Sequence, residues 1–175
     1  MIQHGILVAG IGNIFMGDDA FGSEVARQLA AREWPSEVRV VDFGIRGFDL
    51  AYALLDGYET TILIDATPRG GDPGTLYVIE PDLSDLDTLD APGMMVETHG
   101  MNPMRVLAMV KSMGGAFQRI LLVGCEPRPL ESEEDGAMGL SLPVQEAVPR
   151  AIELIGSLVA QTLSEVTAQS LSVGI

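Results

Sequence analysis

The sequence predicts a three-layer α/β/α domain, with a five-stranded, mostly parallel twisted sheet, helices on both faces and one antiparallel edge strand. Three observations point there. Five apolar runs of strand length recur along the chain without clean polar/apolar alternation, the pattern of strands buried on both faces. Segments with helical periodicity fill most of the gaps between them. The length of 175 residues suits one domain. Residues 1–163 are assigned to it, and 164–175, where periodicity is weak, to a C-terminal tail expected to fray.

The elements follow in order. Gly5–Gly10 is a short apolar run closed by glycine, and reads as a buried first strand. Phe21, Val25 and Leu29 recur at i, i+4 and i+8, which predicts a helix from about Ala20 to Ala31. Val38–Asp42 is the second strand, and Leu50 and Leu54 mark a short helix after Gly47. Thr60–Asp65 and Gly74–Ile79 are the third and fourth strands. Ala66–Asp72 leaves no room for a crossover helix between them, so that pair is expected to be antiparallel, with the fourth strand at an edge. Met104, Leu107 and Val110 predict a helix from about Asn102 to Met113, ended by Gly114-Gly115. Arg119–Gly124 is the fifth strand. Val144, Val148, Ala151, Ile155 and Leu158 predict a long last helix, with a kink or restart at Pro149.

Composition narrows the function. Ten basic against twenty-five acidic residues leave a formal charge of −15. Nucleic-acid binders carry a basic patch, and anionic membranes attract basic segments, so neither partner is expected. No run reaches the eighteen apolar residues of a membrane span, and a soluble, cytoplasmic, monomeric protein is expected. The single cysteine, Cys125, excludes an internal disulfide framework. Two histidines, His4 and His99, exclude an all-protein zinc site of the Cys/His kind. Metal chemistry would have to use carboxylates with one or two imidazoles.

Parallel strands carry their sites at the carboxyl ends. The first strand runs into Gly10-Ile-Gly12-Asn13-Ile-Phe15-Met-Gly17-Asp18-Asp19, then a helix. A dinucleotide fingerprint would need glycine where Phe15 stands, and two aspartates beside a pyrophosphate are electrostatically unfavourable. A nucleotide-binding protein is thus the weaker reading. One aspartate is expected to cap the helix, leaving the other as a ligand or catalytic group. Asp65 ends the third strand and is either a site group or an Asx-turn. His99 precedes the helix near Asn102, after an acidic loop; His4 is treated as bland. Two carboxylates and one imidazole would suit a divalent metal with open positions. Cys125 has no evident histidine partner and reads as packing.

Taken together, G-x-G-N-x-x-x-x-D-[DE]-x-x-G, an Asp after an apolar strand and a His before a later helix resemble the nickel–iron hydrogenase maturation proteases. Asp42-Phe43-Gly44-Ile45-Arg46-Gly47, Val123-Gly-Cys125-Glu126-Pro127 and Gly139-Leu-Ser-Leu-Pro-Val144 agree, and the resemblance spans Ile6 to Leu158. It implies an endopeptidase that removes a C-terminal extension from the hydrogenase large-subunit precursor after nickel insertion. The nickel would be carried by the substrate and held weakly or not at all by the free enzyme. By position, the resemblance assigns metal binding to Asp19, Asp65 and His99; Asp19 and Asp65 are also the candidate catalytic carboxylates. Many members have Glu where Asp19 stands, and the shorter arm draws the carboxylate in by roughly 1.5 Å. Phe43 and Ile45 replace a glycine and a threonine of the commoner pattern, with Arg46 the candidate substitute for the hydroxyl. Cleavage could use a metal-activated water or a carboxylate base. A metal-handling assembly factor without peptidase activity could use the same residues.

Overall fold

The structure, a computed structural model, describes residues 3–88, 101–129 and 138–173. Strand β1 (Gln3–Ile11) leads through a 3-10 turn (Gly17–Ala20) into helix α1 (Phe21–Ala30). Then come β2 (Val38–Gly44), α2 (Gly47–Leu55), β3 (Tyr58–Ala66) and β4 (Leu76–Ile79). A second 3-10 turn (Leu83–Thr88), α3 (Pro103–Ser112), β5 (Arg119–Cys125) and α4 (Leu142–Ser172) complete the order.

The sheet order is β2-β1-β3-β5-β4. The pairs β1/β2, β1/β3 and β3/β5 are parallel. Only β4 runs antiparallel, and it lies at an edge as expected. Its partner is β5 and not β3, which corrects the expected β3/β4 pair. β5 inserts between them because seven of its residues, Arg119 to Cys125, pair along β3, whereas β4 offers only four.

Alternation along β1 explains the three layers. Ile6 and Val8 point to one face and Leu7, Ala9 and Ile11 to the other. The first face packs against α1 and α4 through Phe21, Val25, Leu29, Ala151 and Ile155. The second packs against α2 and α3 through Leu50, Leu54, Leu107 and Val110. Burying each large side chain of this kind contributes about 1.5–3 kcal/mol relative to exposure.

Three local expectations change. His4 lies within β1, which begins at Gln3 and pairs with Tyr58. Helix α4 runs unbroken past Pro149, with no restart. The ring denies one N–H to the carbonyl of Gln145; both residues are exposed, so the loss is not a buried one. The same helix continues to Ser172, with Val159 and Thr162 its last buried residues. No helix among the described residues is long and apolar enough to cross a membrane.

Candidate active site

Parallel pairing brings the candidate groups together. Gly10 of β1 pairs with Ile64 of β3 and with Asp42 of β2, so three loops leave the same end of the sheet. The turn after β1 folds back on itself. The Asn13 N–H donates to Asp19 Oδ2 at 2.8 Å, the Asp19 N–H donates to the Met16 carbonyl, and the Phe15 N–H donates to Asn13 Oδ1. Two motif glycines permit this closeness. A Cβ on Gly12 would strike the Asp19 carbonyl, and one on Gly22 would strike the carbonyls of Ile11 and Ile64.

Asp65 is the residue before the last of β3, partly buried. Burial, and next the negative charge of Asp19, push its carboxyl up to about 8, against the opposing pull of the Ala66 N–H. At neutral pH Asp65 therefore holds its proton while Asp19 is beside it. An arriving cation would reverse that balance, because it favours the ionised form of both. Asp65 is not closed into an Asx-turn onto Thr67; the Thr67 hydroxyl instead donates to the Asp65 carbonyl and the Thr67 N–H to the Cys125 carbonyl.

Neither aspartate caps α1 with its side chain, which corrects that expectation. Asp18 is a tertiary anchor. It accepts from the Arg128 N–H at 2.8 Å, the Ser141 N–H at 2.7 Å and the Ser141 hydroxyl at 2.8 Å. One carboxylate thereby ties the β1 turn to the end of β5 and to the N-cap residue of α4. The adjacent pair thus divides its work: Asp18 joins segments, and Asp19 closes the turn while its charge acts on Asp65.

His99 lies outside the described residues. Among those described, no three His, Cys, Asp or Glu side chains gather as a metal cluster. Arg46 uses its guanidinium on its own loop, donating to the carbonyls of Asp42 and Phe43 and pairing with Asp49. Cys125 is buried, and burial together with the Asp18 charge pushes its thiol up to about 11, so a thiolate nucleophile is disfavoured.

Two features escaped the sequence reading. Glu126, 5% exposed, gathers the β3–β4 loop: it accepts from the backbone N–H groups of Arg69 and Gly70 and from the Tyr77 hydroxyl. Burial pushes this carboxyl up, but those donors and the Gly71 N–H outweigh it and hold it below its ordinary value. Ile14, Phe15 and Met16 are exposed at 56%, 64% and 42%, an apolar tip beside Asp19. Three consecutive apolar residues between Asn13 and Gly17 were the available signal. A cleft of about 580 Å³ opens beside Asp19, walled by Met16, Ala66, Pro68, Pro127, Met138 and Leu140.

The chain is similar to known proteins along most of its length. Residues 23–158 match the sequence model of the family described as HycI, hydrogenase maturation protease. The hydrogenase expression/formation protein HupD of Rhizobium leguminosarum bv. viciae is 34% identical over 149 residues, covering 85% of this chain and 70% of that one. A putative hydrogenase maturation protease of Methanocaldococcus jannaschii is 29% identical, covering 89% and 96%. Among solved structures, the hydrogenase 2 maturation peptidase of a Thaumarchaeota archaeon superposes with a TM-score of 0.65 at 32% identity, covering 89% and 98%. The E. coli hydrogenase maturating endopeptidase HybD superposes with a TM-score of 0.69 at 24% identity, covering 90% and 93%, a likeness of fold.

Proposed function

Since this chain belongs to the hydrogenase maturation protease family, and is therefore a peptidase, we propose that it removes the C-terminal extension of a nickel–iron hydrogenase large-subunit precursor once nickel has been inserted. The observation that carries this reading is the Asp19–Asp65 pair, Asp19 in the 3-10 turn that follows β1 and Asp65 at the end of the neighbouring β3, where burial and then the charge of Asp19 raise the affinity of Asp65 for a proton. Two such oxygens attract a divalent cation that brings its own ligands.

Nickel enters as part of the substrate. Asp19 and Asp65 offer oxygens to an open position on it, and His99 offers an imidazole. A nickel-free precursor lacks that anchor, so cleavage waits for metal insertion. Two routes then lead to cleavage. The substrate's metal polarises the scissile carbonyl and activates a water. Alternatively, a carboxylate of the pair, Asp19 or Asp65, takes the proton from the attacking water. Cys125 takes no part.

The test incubates the protein with nickel-loaded and nickel-free precursor and measures the size of each product. Shortening of the loaded form alone supports the proposal. Binding of the loaded form without cleavage sinks it in favour of a non-proteolytic assembly factor using the same residues.

A further inference from the structure

A second cleft, of about 590 Å³, lies between α1 and α4 and is lined by Glu24, Gln28, Gln145, Val148 and Pro149. It meets the cleft beside Asp19 at Gly139 and Leu140, which line both. Ile14 and Met16, two positions apart in one turn, also line one cleft each. The two hollows thus adjoin, an inner lobe beside Asp19 and an outer one, with the Gly139–Leu140 stretch as the saddle between them.

The outer lobe is suited to a polypeptide backbone. Pro149 has no N–H, so it cannot bond the carbonyl of Gln145 one helical turn before it. Both residues are exposed and both line the lobe. The Gln145 carbonyl thereby lacks the donor that the helix would otherwise supply. The side-chain amides of Gln28 and Gln145 add donors and acceptors of the kind that main-chain groups pair with.

We infer that the outer lobe is a second binding site for substrate, which takes an extended stretch of the precursor's C-terminal extension as it leaves the scissile bond. The inference rests on the processing function proposed above. Its ground is adjacency: the outer lobe shares Gly139 and Leu140 with the cleft beside Asp19, so a chain that leaves that cleft over this stretch enters the outer lobe. The nickel-bearing body of the precursor is anchored at the aspartates, so the segment free to follow that path is the one being removed. A second copy of this chain is the poorer occupant, because each copy carries a formal charge of −15. The saddle also gives the Gly139–Val144 motif a purpose. Ser141, anchored by Asp18, holds one end of the saddle at a set distance from Asp19.

Photocrosslinking tests this directly. Cys125 is buried with a raised pKa, so Gln145→Cys or Met138→Cys introduces the one readily labelled thiol. Each variant is labelled with maleimide-benzophenone, mixed with nickel-loaded precursor and illuminated during the first turnover. Mass spectrometry then maps the adducts. The label at 145 is expected to mark the C-terminal extension, and the label at 138 to mark residues beside the cut. Adducts from 138 without adducts from 145, or 145 adducts confined to the precursor's body or to a second copy of the enzyme, overturn the outer-lobe site while sparing the processing function. Absence of precursor adducts from both positions, with no cleavage, overturns the two together.

Discussion

Replacing Asp65 by Asn is expected to stabilise the fold while abolishing processing. In the unfolded chain this carboxyl ionises near its ordinary value of 3.8; in the fold it does so at about 8. Between those values the native protein holds a proton that the unfolded chain has released. Stability therefore falls as pH rises through that window, and the loss is complete above it. Each unit of difference is worth about 1.4 kcal/mol, so the roughly three units between the unfolded value and neutrality set a ceiling of about 4 kcal/mol. Asp65 is partly exposed, and water and side-chain rotation relieve part of the penalty. On the order of 2 kcal/mol at pH 7 is the expected difference. Asn keeps the shape and an acceptor for the Ala66 N–H but never ionises. At about 2–4 °C per kcal/mol for a chain of this size, Tm of Asp65→Asn should exceed that of the parent by roughly 4–8 °C at neutral pH. Thermal unfolding of both proteins below, within and above the window checks this. The two curves should converge at acid pH and separate as pH rises. A difference that ignores pH, or a variant less stable at neutrality, would refute the reasoning that the fold penalises ionisation of this carboxyl.

Other outcomes follow from named contacts. Asp18→Ala removes the partner of three hydrogen-bond donors; a loss of about 2–4 kcal/mol in urea unfolding is expected, with faster hydrogen exchange at Arg128 and Ser141. Unchanged stability would show that these segments are held by something else. Gly22→Ala drives a methyl against the Ile11 and Ile64 carbonyls, so α1 must move from the sheet; a cost of about 3 kcal/mol or more is expected, and a normal Tm contradicts it. Cys125→Ala should retain processing, and the native parent should resist iodoacetamide, since the thiol is buried; loss of cleavage in a folded variant would restore the cysteine as a candidate. Asp19→Asn and His99→Ala should impair processing of nickel-loaded precursor while circular dichroism stays native, and full processing by both would refute the site.

The strands and helices were legible because each buries a face whose period is written in local apolar spacing. Phe21, Val25 and Leu29 predict α1 to within a residue at each end. Asn102 marks the start of α3 by accepting from the Met104 N–H, as a cap residue should. Asp65 was legible as a strand-end acid, and its neighbour Asp19 as one of a pair. What each aspartate does was not. Asp18 binds partners more than a hundred positions away, and no local pattern encodes a contact of that separation. The same holds for Glu126, whose acceptor role depends on a loop more than fifty positions earlier. The partner of β4 was missed for a related reason, since hydrogen bonding to β5 follows from where the longer strand inserts.

By itself, then, the sequence determined the layers, the strand ends and the family motif, because hydrophobic period and short-range turn chemistry act within a few residues. Only the tertiary structure decided which aspartate anchors and which one's charge acts on Asp65, how β4 is paired, and that two clefts adjoin at Gly139–Leu140. Those outcomes depend on charges and backbone groups brought together from distant parts of the chain, where burial and proximity, and not residue type, set the chemistry.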